Sequence, residues 1–215
     1  NNFLKKIRNL FNKHKVILIF DECSSGFRET LGGIHKKYKV YPDLCMYGKA
    51  LGNGYAITAI VGKKKIMLKS KNSFISSTFW SERIGYVAAL KTISEMRRLK
   101  SYNYVKKIGI YIKKEWKRLA KKHALEIEIR GIDPLPNFIF KKNHQLLKTY
   151  ITQEMLKKKF LCTTNIFVST AHKKKIVDKY LNYIDEIFKK ISIHKKNLKK
   201  LYTGKVSYTS FDRLN

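Results

Sequence analysis

The chain has 215 residues, 44% of them hydrophobic, which is enough to bury a real core in one or two compact units and excludes a chain disordered by composition. Lys and Arg number 47 against 15 Asp and Glu, a formal charge of +32 that would ordinarily point to nucleic acid or an anionic membrane surface. The basic residues are overwhelmingly Lys and spread along the chain, without interleaved Arg and aromatic positions or zinc-ligand spacing, so a lysine coat on solvated faces accounts for them and no specific nucleic-acid partner is expected.

In chain order, Phe3, Leu4, Ile7, Leu10 and Phe11 recur at helical spacing and predict a helix over residues 3–13, packed on the strand that follows. Val16-Ile17-Leu18-Ile19-Phe20 is apolar without alternation, the pattern of a strand covered on both faces in a parallel sheet, and it ends at Asp21-Glu22. Residues 24–28 and 31–33 read as loop. Residues 42–47 predict a second strand ending just before Lys49, and residues 56–61 a third, closed by Gly62. Ser81 is the expected N-cap of a helix with Ile84, Val87, Ala88, Ile93 and Met96 inward. Ser77 and Thr78 lie just ahead of it, where hydroxyls and a helix start suit a phosphate.

After residue 98 the pattern changes. Residues 102–122 predict a Lys-rich helix with Val105, Ile108, Ile112 and Leu119 inward, and residues 125–130 alternate as a half-buried strand. Gly131, Pro134 and Pro136 predict a turn, residues 138–140 a strand, 146–159 a helix, 166–169 a strand, and 173–190 a long helix. Two domains are therefore expected: an α/β unit over 1–98 built on a parallel sheet, and a small α+β unit over 99–215.

The chemistry is expected at the strand ends, where ligands gather in open parallel sheets. Asp21 at a strand end, followed by the glycine-flanked lysine of Tyr47-Gly48-Lys49-Ala50-Leu51-Gly52-Asn53-Gly54, is the pair that pyridoxal phosphate needs. An ionised carboxylate keeps the pyridine nitrogen protonated, and an amine forms the Schiff base and then moves a proton. Glu22 reads equally as an assistant or as a structural residue. Arg28 reads as a structural ion-pair partner. Tyr55 and Trp80 are candidates for the substrate entrance, with core packing the commoner use of such residues. His35 and His172 lack metal-ligand companions at useful spacing, so loop or capping roles and no metal are expected. Cys23, Cys45 and Cys162 are odd in number and far apart, which argues for a reducing, cytoplasmic setting. No apolar run approaches the length of a membrane span, and none resembles a signal peptide.

Leu18-Ile19-Phe20-Asp21-Glu22, Ser25-Gly26-Phe27-Arg28, Gly32-Gly33, Pro42-Asp43-Leu44, Gly48-Lys49-Ala50-Leu51-Gly52-Asn53-Gly54 and Ser77-Thr78 occur in the order and rough spacing of the class III aminotransferases. These are fold type I pyridoxal phosphate enzymes, glutamate-1-semialdehyde aminomutase among them. Leu135-Pro136-Asn137-Phe138, Gln153-Glu154-Met155-Leu156, Ser169-Thr170-Ala171-His172 and Phe211-Asp212-Arg213-Leu214-Asn215 extend the resemblance over nearly the whole chain. It implies that residues 1–98 are the C-terminal part of the cofactor-binding large domain and that 99–215 are the small C-terminal domain. It further implies that Asp21 pairs with the pyridine nitrogen, that Lys49 carries pyridoxal 5'-phosphate, and that Thr78 reaches the cofactor phosphate of a neighbouring subunit in a homodimer. Cys23 stands where the family usually has Val behind the ring, Ala56 replaces a frequent Pro, and Arg130, before Gly131, resembles the arginine that some members use to bind a substrate carboxylate.

The implied activity is transfer of an amino group between a small-molecule donor and a carbonyl acceptor, as a general aminotransferase in preference to the aminomutase. The residues around Phe79-Trp80-Ser81-Glu82-Arg83 fit other class III members better. In the family the helix that cradles the phosphate and the aromatic stacked on the ring lie in an N-terminal half that this sequence does not contain. A fragment of a longer enzyme is therefore expected. The alternatives are a catalytically incomplete subunit that needs an N-terminal partner half and a basic nucleic-acid-binding protein.

Overall fold

The computed structural model describes residues 2–76, 78 and 80–207. Ser77 and the motif at 211–215 lie outside the described residues. The chain divides into two compact units, residues 1–104 and 105–215, with the break inside a helix.

The first unit opens with α1 (Phe3–Lys13), where expected, but none of its residues is buried. Strand β1 (Ile19–Asp21) pairs in parallel with β2 (Leu44–Tyr47), Ile19 opposite Leu44 and Asp21 opposite Met46. The crossover that a parallel pair requires runs over residues 22–43 through a loop and a short helix, α2 (His35–Tyr38), which the sequence pattern does not announce. β3 (Ala59–Gly62) closes the sheet on the other side of β2 and runs antiparallel to it, so the sheet is mixed, in the order β1-β2-β3. The apolar run at 16–20 was expected to be covered on both faces; only three residues pair, and Ile19 is 51% exposed. Such a run needs a layer on each side, and among the described residues one side has none.

A short α3 (Lys64–Met67) leads towards α4 (Arg83–Leu99). Ser81 does not cap it: Glu82 holds the cap position in an extended conformation and makes no side-chain cap bond. The inward stripe is Gly85, Ala89 and Met96 with Ile93 beside it, whereas Ile84 and Val87, expected inside, are exposed. The small side chains let the helix lie close, and the large apolar ones turn away. The core here is small: Cys45, Tyr47, Leu51 and Ala89, flanked by Phe20, Phe27, Ile57 and Ala59.

What ties α1, β1 and β3 together is one buried carboxylate. Asp43 Oδ2 accepts from the Leu18 backbone N–H and from Arg8 Nη1, both at 2.8 Å, while Lys63 Nζ lies 2.6 Å from Oδ1. Burial pushes the Asp43 carboxyl up, but the Leu18 N–H, Lys63 and Arg8 together outweigh it and hold the group far below the usual carboxylate range.

The second unit is built by the long helix α5 (Ser101–Lys122), strands β4 (Ile127–Arg130) and β5 (Asn137–Phe140), and helices α6 (His144–Lys157) and α7 (Lys174–Ile193). Val105, Ile108, Ile112 and Leu119 are buried as predicted, joined by Trp116. β4 and β5 form an antiparallel pair, Ile127 opposite Phe140. Residues 166–169 are not a strand. Phe138, Ile166 and Val168 N–H groups bond to the carbonyls of Thr164, Pro136 and Pro134, but the prolines have no N–H to return, so a ladder cannot form. Phe138 sits edge-on to Trp116 (centroids 4.8 Å apart) and to Phe188 (5.8 Å), and Trp116 Nε1 donates to Tyr180 Oη at 2.9 Å. On α5, Gly109 is required by close approach, since a Cβ there would stand 1.7 Å from the Asp133 carbonyl oxygen.

Candidate active site

Asp21 is the last residue of β1, and Lys49 follows the end of β2 by two residues. Because β1 and β2 are parallel, both residues leave the sheet at the same end, where pattern reading places ligands. Asp21 is exposed, and its Oδ1 accepts from the Cys23 backbone N–H at 2.9 Å. That bond, then the Cys23 side chain, and with them the charge of Lys49, hold the Asp21 carboxyl below its ordinary value against a small effect of burial. The carboxylate is therefore ionised throughout the neutral range. The same contact pushes the Cys23 thiol up, with burial and the charge of Asp21 adding to it.

Lys49 opens a 3-10 turn, Lys49–Leu51, and has a φ of +38°. A side chain in that region costs on the order of 1–2 kcal/mol, so the strain must be held by what surrounds it. Part of the hold is Gly52: a Cβ there would stand 2.1 Å from the Tyr55 carbonyl oxygen, so the chain can double back only with glycine at this position. The Lys49 amine is exposed, and Nζ donates to Ser24 Oγ at 2.8 Å.

Behind the surface, Glu22 is buried and fully engaged. Its carboxylate accepts from the backbone N–H of Ile34 and of His35, and Oε1 lies 2.7 Å from His35 Nδ1. Cys45 Sγ is 3.9 Å from the same nitrogen. The three groups have the chemistry of metal ligands. However, two ligands with arms of about 2.0 Å stand about 3.3 Å apart on a tetrahedron, so the Nδ1 to Oε1 gap is that of a hydrogen bond. Glu22 thus closes the loop that begins at Asp21 onto the start of α2. The sequence left its role open, and His35, taken for a loop or capping residue, is a buried member of this cluster.

The structure brings Asp21, Cys23 and Lys49 together and adds Ser24, which no motif had singled out. Its signal was available only in three dimensions, as the contact with Lys49. Thr78 is on an exposed turn ahead of α4. Arg130 belongs to the second unit, on β4, where its guanidinium grips Glu128 through Nε (2.8 Å) and Nη2 (2.9 Å). Arg28 donates from Nε to the Ser24 carbonyl at 2.6 Å. Tyr55 and Trp80 are both exposed, and His172 Nδ1 lies 3.0 Å from Ser169 Oγ in the turn before α7.

Comparison with known proteins assigns the class. The family profile Aminotransferase class-III matches residues 1–179, and the chain belongs to that family. It is 36% identical over 176 residues to a 3-aminobutyryl-CoA aminotransferase of Cloacimonas acidaminovorans, covering 79% of this chain and 41% of that protein. It is 28% identical over 205 residues to a glutamate-1-semialdehyde 2,1-aminomutase of Saccharolobus islandicus, covering 88% and 48%. Among solved structures, the PLP internal aldimine form of the FumI protein of Sphingopyxis sp. MTA144 superposes with a TM-score of 0.83 at 22% identity, over 91% of this chain and 48% of that one. The fold is thus part of a fold type I aminotransferase, and class III aminotransferases use pyridoxal 5'-phosphate. The chain spans about half the length of the curated relatives it matches.

Proposed function

We propose that this chain is the cofactor-tethering half of a pyridoxal 5'-phosphate-dependent aminotransferase, with Lys49 as the tethering and proton-moving amine and Asp21 as the partner of the ring nitrogen. The observation that carries this is the placement of an ionised, exposed carboxylate and an exposed, oriented amine at one end of the parallel β1–β2 pair. The residues fit the group: Asp21 is open to a cationic N–H, and Lys49 is open to an aldehyde. Bound pyridoxal phosphate would supply an electron sink that lowers the cost of removing a proton beside the substrate nitrogen.

Asp21 keeps the proton on the ring nitrogen, because a carboxylate of depressed pKa favours the charged form of its partner. Lys49 would hold the group through its aldehyde, and Nζ is the amine placed to take and return a proton at the substrate's α-carbon. Cys23, whose backbone N–H fixes Asp21, would pack behind the ring. In this reading residues 1–98 are the C-terminal part of the large domain and 99–215 the small domain. Thr78 would then serve the cofactor phosphate across a homodimer in the cytoplasm, and Arg130, paired with Glu128 on β4, is kept as the candidate for a substrate carboxylate. A general amino donor and carbonyl acceptor are the substrates, with the aminomutase reaction as the variant in which both groups lie on one molecule.

The test is reduction with borohydride after addition of pyridoxal phosphate, followed by peptide mapping. Labelling concentrates on Lys49 and disappears in Lys49→Ala. Labelling spread over many lysines and unchanged by that substitution would falsify the proposal.

A second reading, of a subunit that works only with a separate N-terminal half, is favoured by the uncovered apolar surface of the first unit, where Ile60 is 55% and Leu90 69% exposed. It predicts no turnover from the chain alone and turnover when the N-terminal half of a relative is supplied in trans. Turnover by the chain alone refutes it.

A further inference from the structure

We infer that Ser24 is the positioning residue of Lys49: its hydroxyl holds the ε-amine in both protonation states and so keeps it aimed while it waits for an aldehyde. The inference rests on the Lys49 reading above.

Three observations combine. Lys49 Nζ and Ser24 Oγ are 2.8 Å apart, a bond that bridges 25 residues of chain. Ser24 is itself anchored, since Arg28 Nε donates to its carbonyl at 2.6 Å and Gly26 N–H closes the same turn onto the Glu22 carbonyl at 2.8 Å. The turn begins at Asp21, whose Oδ1 is fixed by the Cys23 N–H. One short segment therefore sets both the carboxylate and, through Ser24, the amine.

The chemistry of a hydroxyl suits this task in a way that other polar groups do not. A lysine ammonium has three donors and no acceptor, whereas the free amine that attacks an aldehyde carries a lone pair. A serine hydroxyl accepts from the first and donates to the second, so the contact survives loss of the proton. A carboxylate can only accept, and it favours the charged, unreactive form. Without a partner, a four-carbon side chain on an exposed turn samples many rotamers, which slows attack.

The experiment uses Ser24→Ala, Ser24→Asp and Ser24→Thr in the full chain with two readouts on the Lys49 peptide. One is competitive acetylation in the absence of cofactor, with exposed Lys69 as the internal reference. The other is the pH profile of pyridoxal phosphate capture, trapped by borohydride. Ser24→Ala slows capture about two- to tenfold, the range of one hydrogen bond, without moving the profile. Ser24→Asp shifts the profile of both readouts upward by about one pH unit, and Ser24→Thr behaves as the native chain.

A Ser24→Asp profile that coincides with the native one, or a Ser24→Ala chain that captures at the native rate, overturns the inference. Absence of Lys49 labelling by pyridoxal phosphate in the native chain would instead strike the proposed function. The acetylation arm still decides whether Ser24 holds the amine.

Discussion

The two units of this chain solve the problem of burial differently. The second encloses Trp116, Phe138, Phe188, Ile112, Ile151 and Met155 completely and, among the described residues, buries no charged side chain. The first has a small apolar core and buries Glu22, Glu29, His35 and Asp43. Its strands and helix show Ile19, Ile60, Val87 and Leu90 to solvent. The second unit is held by hydrophobic area and interlocked rings; the first is held at a few points by charged groups in hydrogen-bonded clusters. The candidate site thus lies in the unit where burial is thin and polar groups carry the geometry.

The contrast can be broken most forcefully from the second unit. Phe188→Ala removes a ring that touches both Phe138 and Phe140, and should destabilise that unit by about 3–5 kcal/mol. Denaturant melts monitored by Trp116 fluorescence would show it, and a loss under 1 kcal/mol would mean the core is looser than its packing. In the first unit, Asp43→Asn discards the charge that Arg8 and Lys63 share. It should cost about 1–3 kcal/mol by leaving those donors with a poorer acceptor.

The sign of the accompanying pH dependence follows from the depressed pKa of Asp43. Its contribution is fully present above the unfolded carboxylate value, about 3.9, and is lost as pH falls through the folded value. Acid titration of the native chain should therefore loosen the first unit, and Asp43→Asn should flatten that part of the curve. The smallest effect belongs to the exposed face: Ile60→Ser on β3 should alter stability by no more than about 0.5 kcal/mol. A larger loss, measured in the same melts, would mean that the face is covered after all.

The order of elements was legible because periodicity survives in isolation: α1, α5, α6 and α7 and the strands at Leu44, Ile127 and Phe138 stand close to where apolar spacing puts them. Asp21 and Lys49 were legible because a strand end and a glycine-flanked lysine leave a local trace. Other features leave none. The inward face of α4 was misread because Gly85 and Ala89 score weakly as apolar yet permit the closest contact. The expected strand at 166–169 failed because Pro134 and Pro136, on the neighbouring segment, cannot donate. Ser24, His35 and the Asp43 clamp depend on partners 25, 13 and up to 35 residues away, a separation that no window of sequence spans.

One feature of the sheet reaches beyond the chemistry. With the order β1-β2-β3, each outer strand is paired on one side only among the described residues, and Ile19 and Ile60 on them are exposed, the condition that favours strand-against-strand stacking of separate molecules. The surplus of lysine opposes such unspecific stacking, because chains with a formal charge of +32 repel one another at long range wherever no complementary interface offsets the charge. In these terms the charge that first suggested a polyanionic partner works against unspecific stacking of those two strands.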